Sequence, residues 1–185
     1  MAQALGIRFL DKASVAVENG VAGEELGRVF KIDIEARMRL VTETEIQVAC
    51  DVDNPLVGKS GASAIYGPQK GATQDQVLEL GRNLRHFGTV IEHDLGIEVL
   101  NRSRGGAAGG LGEGLLAFAD AHLLGGAELV ADAVGLKTHL SDAVLVITGE
   151  GSIDSQTGSG KTLLGVATIA RLLDVPVVGV GGLSG

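Results

Sequence analysis

Apolar and polar positions alternate most clearly at residues 46–52, where Ile46, Val48, Cys50 and Val52 interleave with Gln47, Ala49 and Asp51. Period two predicts a strand with Asp51 and Asp53 on one face and the aliphatic side chains on the other. Asn54-Pro55 stops it. A different period follows. Val77, Leu80, Leu84, Phe87 and Ile91 recur at steps of three and four, which predicts one amphipathic helix. Thr73 and Gln76 give that helix a capping box, and Lys70 lies in the turn just before it. The glycine-dense run at 101–112 leads into Leu111, Leu115, Leu116 and Phe118, a loop entering a helix that packs close to a neighbour.

The last third reads as α/β. Residues 128–140 have a helical pattern, and the unbroken apolar run at 143–148 predicts a buried parallel strand. A loop rich in Gly, Ser and carboxylates follows, then a helix at 161–173 and a strand at 175–180, which together make a βαβ unit. Residues 1–45 are less regular, with a short strand at 6–10, a short helix at 24–28 and a start resembling the tail of a helix. The composition shifts at Gly125-Gly126, which places a domain border there and divides the chain into 1–125 and 126–185.

Composition narrows the function classes. The 185 residues suffice for a buried core, and 29 glycines with only 3% aromatics suit a backbone that bends sharply or approaches a ligand closely. A net charge of −8 argues against nucleic acid or an anionic membrane surface as the main partner. Cys50 is the single cysteine, so no internal disulfide forms and a reducing cytoplasm is the expected compartment. No apolar run approaches membrane-spanning length, and no signal peptide opens the chain.

The candidate chemistry sits in loops. A ligand at the carboxyl end of the 143–148 strand would meet Glu150, Asp154, hydroxyls and backbone N–H groups. Glu150 and Asp154 read equally well as loop carboxylates that satisfy backbone donors. Asp51 and Asp53, on one strand face, need a cation or donor between them, or form a plain polar face. Gly158-Ser-Gly-Lys-Thr162 imitates a phosphate-binding P-loop, but Ser155 stands where that motif requires glycine and the loop is too long. Gly110 and Gly112 begin a dinucleotide fingerprint that Leu115 breaks. Asp51-Val-Asp53 lacks the later Gly and Glu of a calcium loop. His86, His93, His122 and His139 have no metal-ligand spacing, and no nucleophile elbow accompanies the serines.

Four blocks occur in order: ACDVDNPL at 49–56, YGPQKGA at 66–72, GGAAGGLG at 105–112, and TGEGSIDSQT at 148–157 with Gly160-Lys161. Together they make residues 46–182 resemble the bacterial type 1 glycerate kinase family. The resemblance implies a Rossmann-like parallel βαβ segment (126–185) plus part of a second, inserted α/β domain (1–125), with substrate and nucleotide meeting between them. It implies phosphoryl transfer from ATP, with Mg2+, to a hydroxyl of D-glycerate. Near the site it would place Asp51, Asp53, Asn54, Gln69, Lys70, Gly105, Gly106, Gly109, Gly110, Glu150, Asp154, Gln156 and Lys161. Asp154, Glu150 and Lys161 are the expected catalytic residues, with Asp154 as the general base, and the 105–112 glycines are expected to offer N–H groups to an anion. Asp51, Asp53, Glu150 and Asp154 are the metal candidates.

The family differs in places. It has Arg where Ser152 stands and Ala-Pro in place of Thr162-Leu163, and its members run well beyond this sequence at both ends. The resemblance therefore predicts an internal fragment of a glycerate kinase, with self-association through edges left open. An inactive remnant is the alternative, and a P-loop NTPase a more distant one.

Overall fold

The computed structural model describes residues 1–18, 20–153 and 162–184. The chain forms two compact units, Met1–Gln47 with Asp53–Leu123, and Val48–Val52 with Leu124–Gly185.

The first unit opens with a 3-10 turn at Ala2–Leu5 and a short antiparallel pair, β1 (Arg8–Leu10) and β2 (Lys31–Asp33). Phe9 lies opposite Ile32, and both are buried. The segment expected to be helical at 24–28 is a 3-10 turn, Glu25–Arg28. A one-turn helix, α1 (Arg39–Thr42), precedes the short strand β3 (Gln47–Ala49), and a second short strand, β4 (His122–Leu124), comes later in the chain; the border between the units runs through both strands. Between them run α2 (Ala62–Tyr66), α3 (Gln74–Leu95) and α4 (Leu111–Ala119).

α3 is the frame of this unit. Thr73 and Gln76 exchange both bonds of the expected capping box, and Gly96, left-handed at φ 69°, closes the helix. Its apolar stripe buries Leu84, Phe87, Val90 and Ile91. Phe87 meets Phe9 edge-on at 5.4 Å between ring centroids, and Phe118 of α4 packs on Phe9 at 5.7 Å and on Phe87 at 6.1 Å. These edge-to-face contacts add to the area the rings bury. Polar ends tie the helix to its neighbours: Asp94 accepts the Ile32 N–H at 2.7 Å, and Glu92 accepts the Val99 and Leu100 N–H groups at 3.0 and 3.2 Å.

The second unit contains α5 (Gly126–Ala133), α6 (Leu136–Leu140), β5 (Val146–Ile153), α7 (Thr162–Leu172) and β6 (Val177–Ser184). The single helix expected at 128–140 is thus two. Gly135 adopts φ 64° between them, a left-handed conformation that interrupts a right-handed helix. β5 and β6 pair in parallel, with Val146 opposite Val177 and Ile153 opposite Ser184, and α7 makes the connection. β5 starts later than the apolar run and continues through Gly149 and Glu150, so Glu150 belongs to a strand and not to a loop. Leu140, Val146, Ala170 and Val175 form the core, with Val166 and Ile169 against it. The expectation of a strand buried on both faces fails. Ile147 is 69% exposed and Val180 55%. A two-stranded sheet with one crossover helix has its other face open.

Candidate active site

In the first unit, segment 53–56 nests against the glycine loop. Gly106 donates its N–H to the Asn54 carbonyl at 2.8 Å, and a Cβ on Gly106 would lie 2.4 Å from the Pro55 carbonyl oxygen. Only glycine permits that approach. The same loop folds on itself: Gly105 donates to Arg102, and Gly109 and Gly110 both donate to Gly106. The N–H groups expected to face an anion at Gly105, Gly106, Gly109 and Gly110 therefore already have carbonyl partners. These glycines are needed for close packing and for left-handed turns, with φ 75° at Gly109 and 100° at Gly110.

Asn54 is held by its side chain as well. Its Oδ1 accepts from the Tyr66 hydroxyl at 2.6 Å and its Nδ2 donates to the Ser60 carbonyl at 3.0 Å. Asp53 accepts from the Ser103 hydroxyl at 3.3 Å and lies 3.6 Å from Nε of Arg104. Arg104 has φ 72°, a left-handed conformation that a side chain adopts at a cost. Gln69 and Lys70 form the 3-10 turn Pro68–Lys70 after α2. Lys70 borders a cavity of about 440 Å³ with the three phenylalanines, Gly110 and Glu113.

Glu113, in the first turn of α4, is 1% exposed, and neither carboxyl oxygen has a hydrogen-bond partner. Burial pushes its carboxyl up to about 7; Arg102 opposes that rise and Glu92 adds to it. Sequence reasoning missed Glu113, Arg104, Ser103 and Tyr66. A carboxylate directly after a glycine run was the available signal for Glu113, and Tyr66 stood inside a quoted block.

In the second unit, Asp51 and Glu150 serve helix starts. Asp51 Oδ1 accepts the Gly126 N–H at 3.1 Å at the first residue of α5, and Glu150 Oε1 accepts the Leu163 N–H at 3.1 Å in the first turn of α7. A carboxylate at a helix N-terminus meets both unpaired donors and the positive end of the dipole. The pairing of Asp51 with Asp53 on one strand face is corrected. β3 ends at Ala49, and the two carboxylates go to different partners in different units. Asp154, Gln156 and Lys161, with most of the P-loop look-alike, lie outside the described residues. Among the described residues no group of three His, Cys, Asp or Glu side chains could hold a metal ion, and no helix is long and apolar enough to cross a membrane.

Parallel strands joined by a helix in one unit, and helices with short strands in the other, define an α/β protein. The sequence matches the glycerate kinase family over residues 1–185, and the chain belongs to that family. A glycerate kinase of Halalkalibacterium halodurans is 48% identical over 185 residues, covering 100% of this chain and 48% of the relative. The glycerate 2-kinase of Escherichia coli K12 is 45% identical over 182 residues, 98% of this chain and 47% of the relative. A crystal structure of a putative glycerate kinase 2 from Salmonella typhimurium LT2 superposes with a TM-score of 0.83 at 47% identity, covering 99% of this chain and 48% of that one. The chain spans about half the length of these relatives.

Proposed function

We propose that this chain supplies part of a glycerate kinase, which transfers the terminal phosphoryl group of ATP to a hydroxyl of D-glycerate. The observation that carries the reading is the 48% identity to a glycerate kinase along all 185 residues. In this reading residues 1–125 are part of the inserted domain and residues 126–185 part of the Rossmann-like domain. The name of the E. coli relative favours the 2-hydroxyl as acceptor.

Phosphoryl transfer asks a protein chiefly for positioning and charge neutralisation. Lys70 and Lys161 are the cations for phosphate or the glycerate carboxylate. Asn54 and Gln69 offer amide donors, Asn54 already oriented by Tyr66. Gln156 is placed with this polar set by the family pattern alone. Asp154 takes the hydroxyl proton as general base. Mg2+ arriving with ATP would be held by one or two of the carboxylates the family resemblance offers, Asp51, Asp53, Glu150 and Asp154, and would neutralise charge on the transferred group. The cytoplasm, where ATP and organic acids meet, is the proposed compartment.

The test is a chimera in which this chain replaces the matching residues of the H. halodurans relative. It should release ADP in a D-glycerate-dependent way, and Asp154→Asn should lower kcat by about 10²–10⁴-fold. A folded chimera without glycerate-dependent turnover sinks the reading. ATP hydrolysis indifferent to glycerate would favour a P-loop NTPase instead. An unchanged rate in Asp154→Asn would remove that residue from the base role.

A further inference from the structure

Glu113 is used by no part of the mechanism above, yet it is among the most buried side chains of the first unit. It lies under the glycine loop. A Cβ on Gly105 would fall 2.0 Å from Glu113 Oε1 and 2.6 Å from Cδ, so the carboxyl occupies the space that the missing side chain leaves. The Glu113 N–H also reaches the Gly105 carbonyl, at 3.4 Å. A buried carboxylate with no donor on either oxygen is costly, whereas the neutral acid is tolerated there. The 440 Å³ cavity that Glu113 borders gives the side chain room to move.

We propose that Glu113 props the glycine loop at 104–112 as a neutral carboxylic acid, and that its ionisation draws the side chain toward the cavity and releases the loop. The proton passes to solvent and returns when the loop closes. The charged groups that bear on the carboxyl are Arg102 in the loop approach and Glu92 of α3; Arg104 lies in the loop and Lys70 lines the same cavity. Arg102 favours the ionised form and Glu92 the neutral one. Because Gly106 holds the Asn54 carbonyl, release of the loop also loosens the segment that carries Asp53 and Asn54. The proton state of one side chain thereby governs the order of a whole wall of the candidate site. The inference goes beyond the kinase reading and does not depend on it.

The sign follows from the direction of the shift. The folded-state carboxyl is raised from 4.5 to about 7, so its contribution is complete below 4.5, declines as pH rises, and is fully lost above about 7. Amide hydrogen exchange of the wild-type chain, Glu113→Gln and Glu113→Met across this range reads it directly, each comparison made at the same pH to cancel the intrinsic rate. Relative to either variant, protection of amides 104–112 in the wild type should fall by up to about tenfold per pH unit through the window and then level off. Amides of β5 and β6, in the other unit, should keep a constant ratio. A flat ratio for 104–112 overturns the proposal, and so does an equal fall in β5 and β6, since that would report unfolding of the whole chain. The outcome is independent of whether any chimera turns over glycerate.

Discussion

The two units solve the same packing problem with different success. In the first, one 22-residue helix packs an apolar stripe, Phe87 included, against Phe9 and Phe118, and Leu84, Phe87 and Ile91 of that stripe are buried while Val77 and Leu80 are half-buried. In the second, two parallel strands present aliphatic residues on both faces, and the helices cover only one. The difference lies in periodicity. A stripe at three-and-four spacing needs one partner, whereas a continuous apolar strand needs two. Stability should therefore be concentrated in the first unit, with aliphatic substitutions on the open sheet face nearly free.

The largest effect is expected where the aromatic cluster is cut. Phe118→Ala removes the ring that touches both Phe9 and Phe87 and should cost about 3–5 kcal/mol, read by urea unfolding and by loss of amide protection in α3, β1 and β2. Protection in β5 and β6 should change far less. A loss below about 1 kcal/mol would break the comparison, because a core that collapses around so large a deletion is not tightly packed.

A smaller change sharpens the role of α3. Thr73→Ala deletes the acceptor for the Gln76 N–H, a bond of 3.3 Å, while Gln76 can still reach the Thr73 backbone. About 1 kcal/mol of stability should go, expressed first as faster exchange in the opening turn of the helix. If the whole unit loosens instead, the N-terminal turn of α3 is part of the cooperative core and not a fraying end.

What the sequence made legible follows the same division. Local signals survived: the Thr73/Gln76 box, the stripe through Phe87, the glycine run before α4, and the βαβ order of β5, α7 and β6. What failed depended on tertiary partners. Alternation put Asp51 and Asp53 on one face, but the strand ends at Ala49 because Asp51 turns to Gly126 and Asp53 to Ser103 and Arg104. Glycine density suggested anion-binding N–H groups, but backbone carbonyls, including that of Asn54, claim them. A helical pattern at 128–140 concealed the left-handed Gly135. Glu113 carried no motif, since its burial arises only when α4 folds beneath the loop.

The smallest expected effect tests the open face. Ile147 is 69% exposed within β5 and lies opposite Val178 in the parallel ladder. Ile147→Thr keeps β-branching and strand preference, removes apolar surface that is mostly already in water, and adds a hydroxyl that water can satisfy. The change in unfolding free energy should stay within about 0.5 kcal/mol, with improved solubility as the one visible gain. A loss above about 1.5 kcal/mol would mean that this face is covered in solution. Sedimentation would then separate the causes: a mass that falls toward the monomer in Ile147→Thr identifies a second copy as the cover. An unchanged monomer mass would place the missing contact within the chain and remove the contrast between the two units.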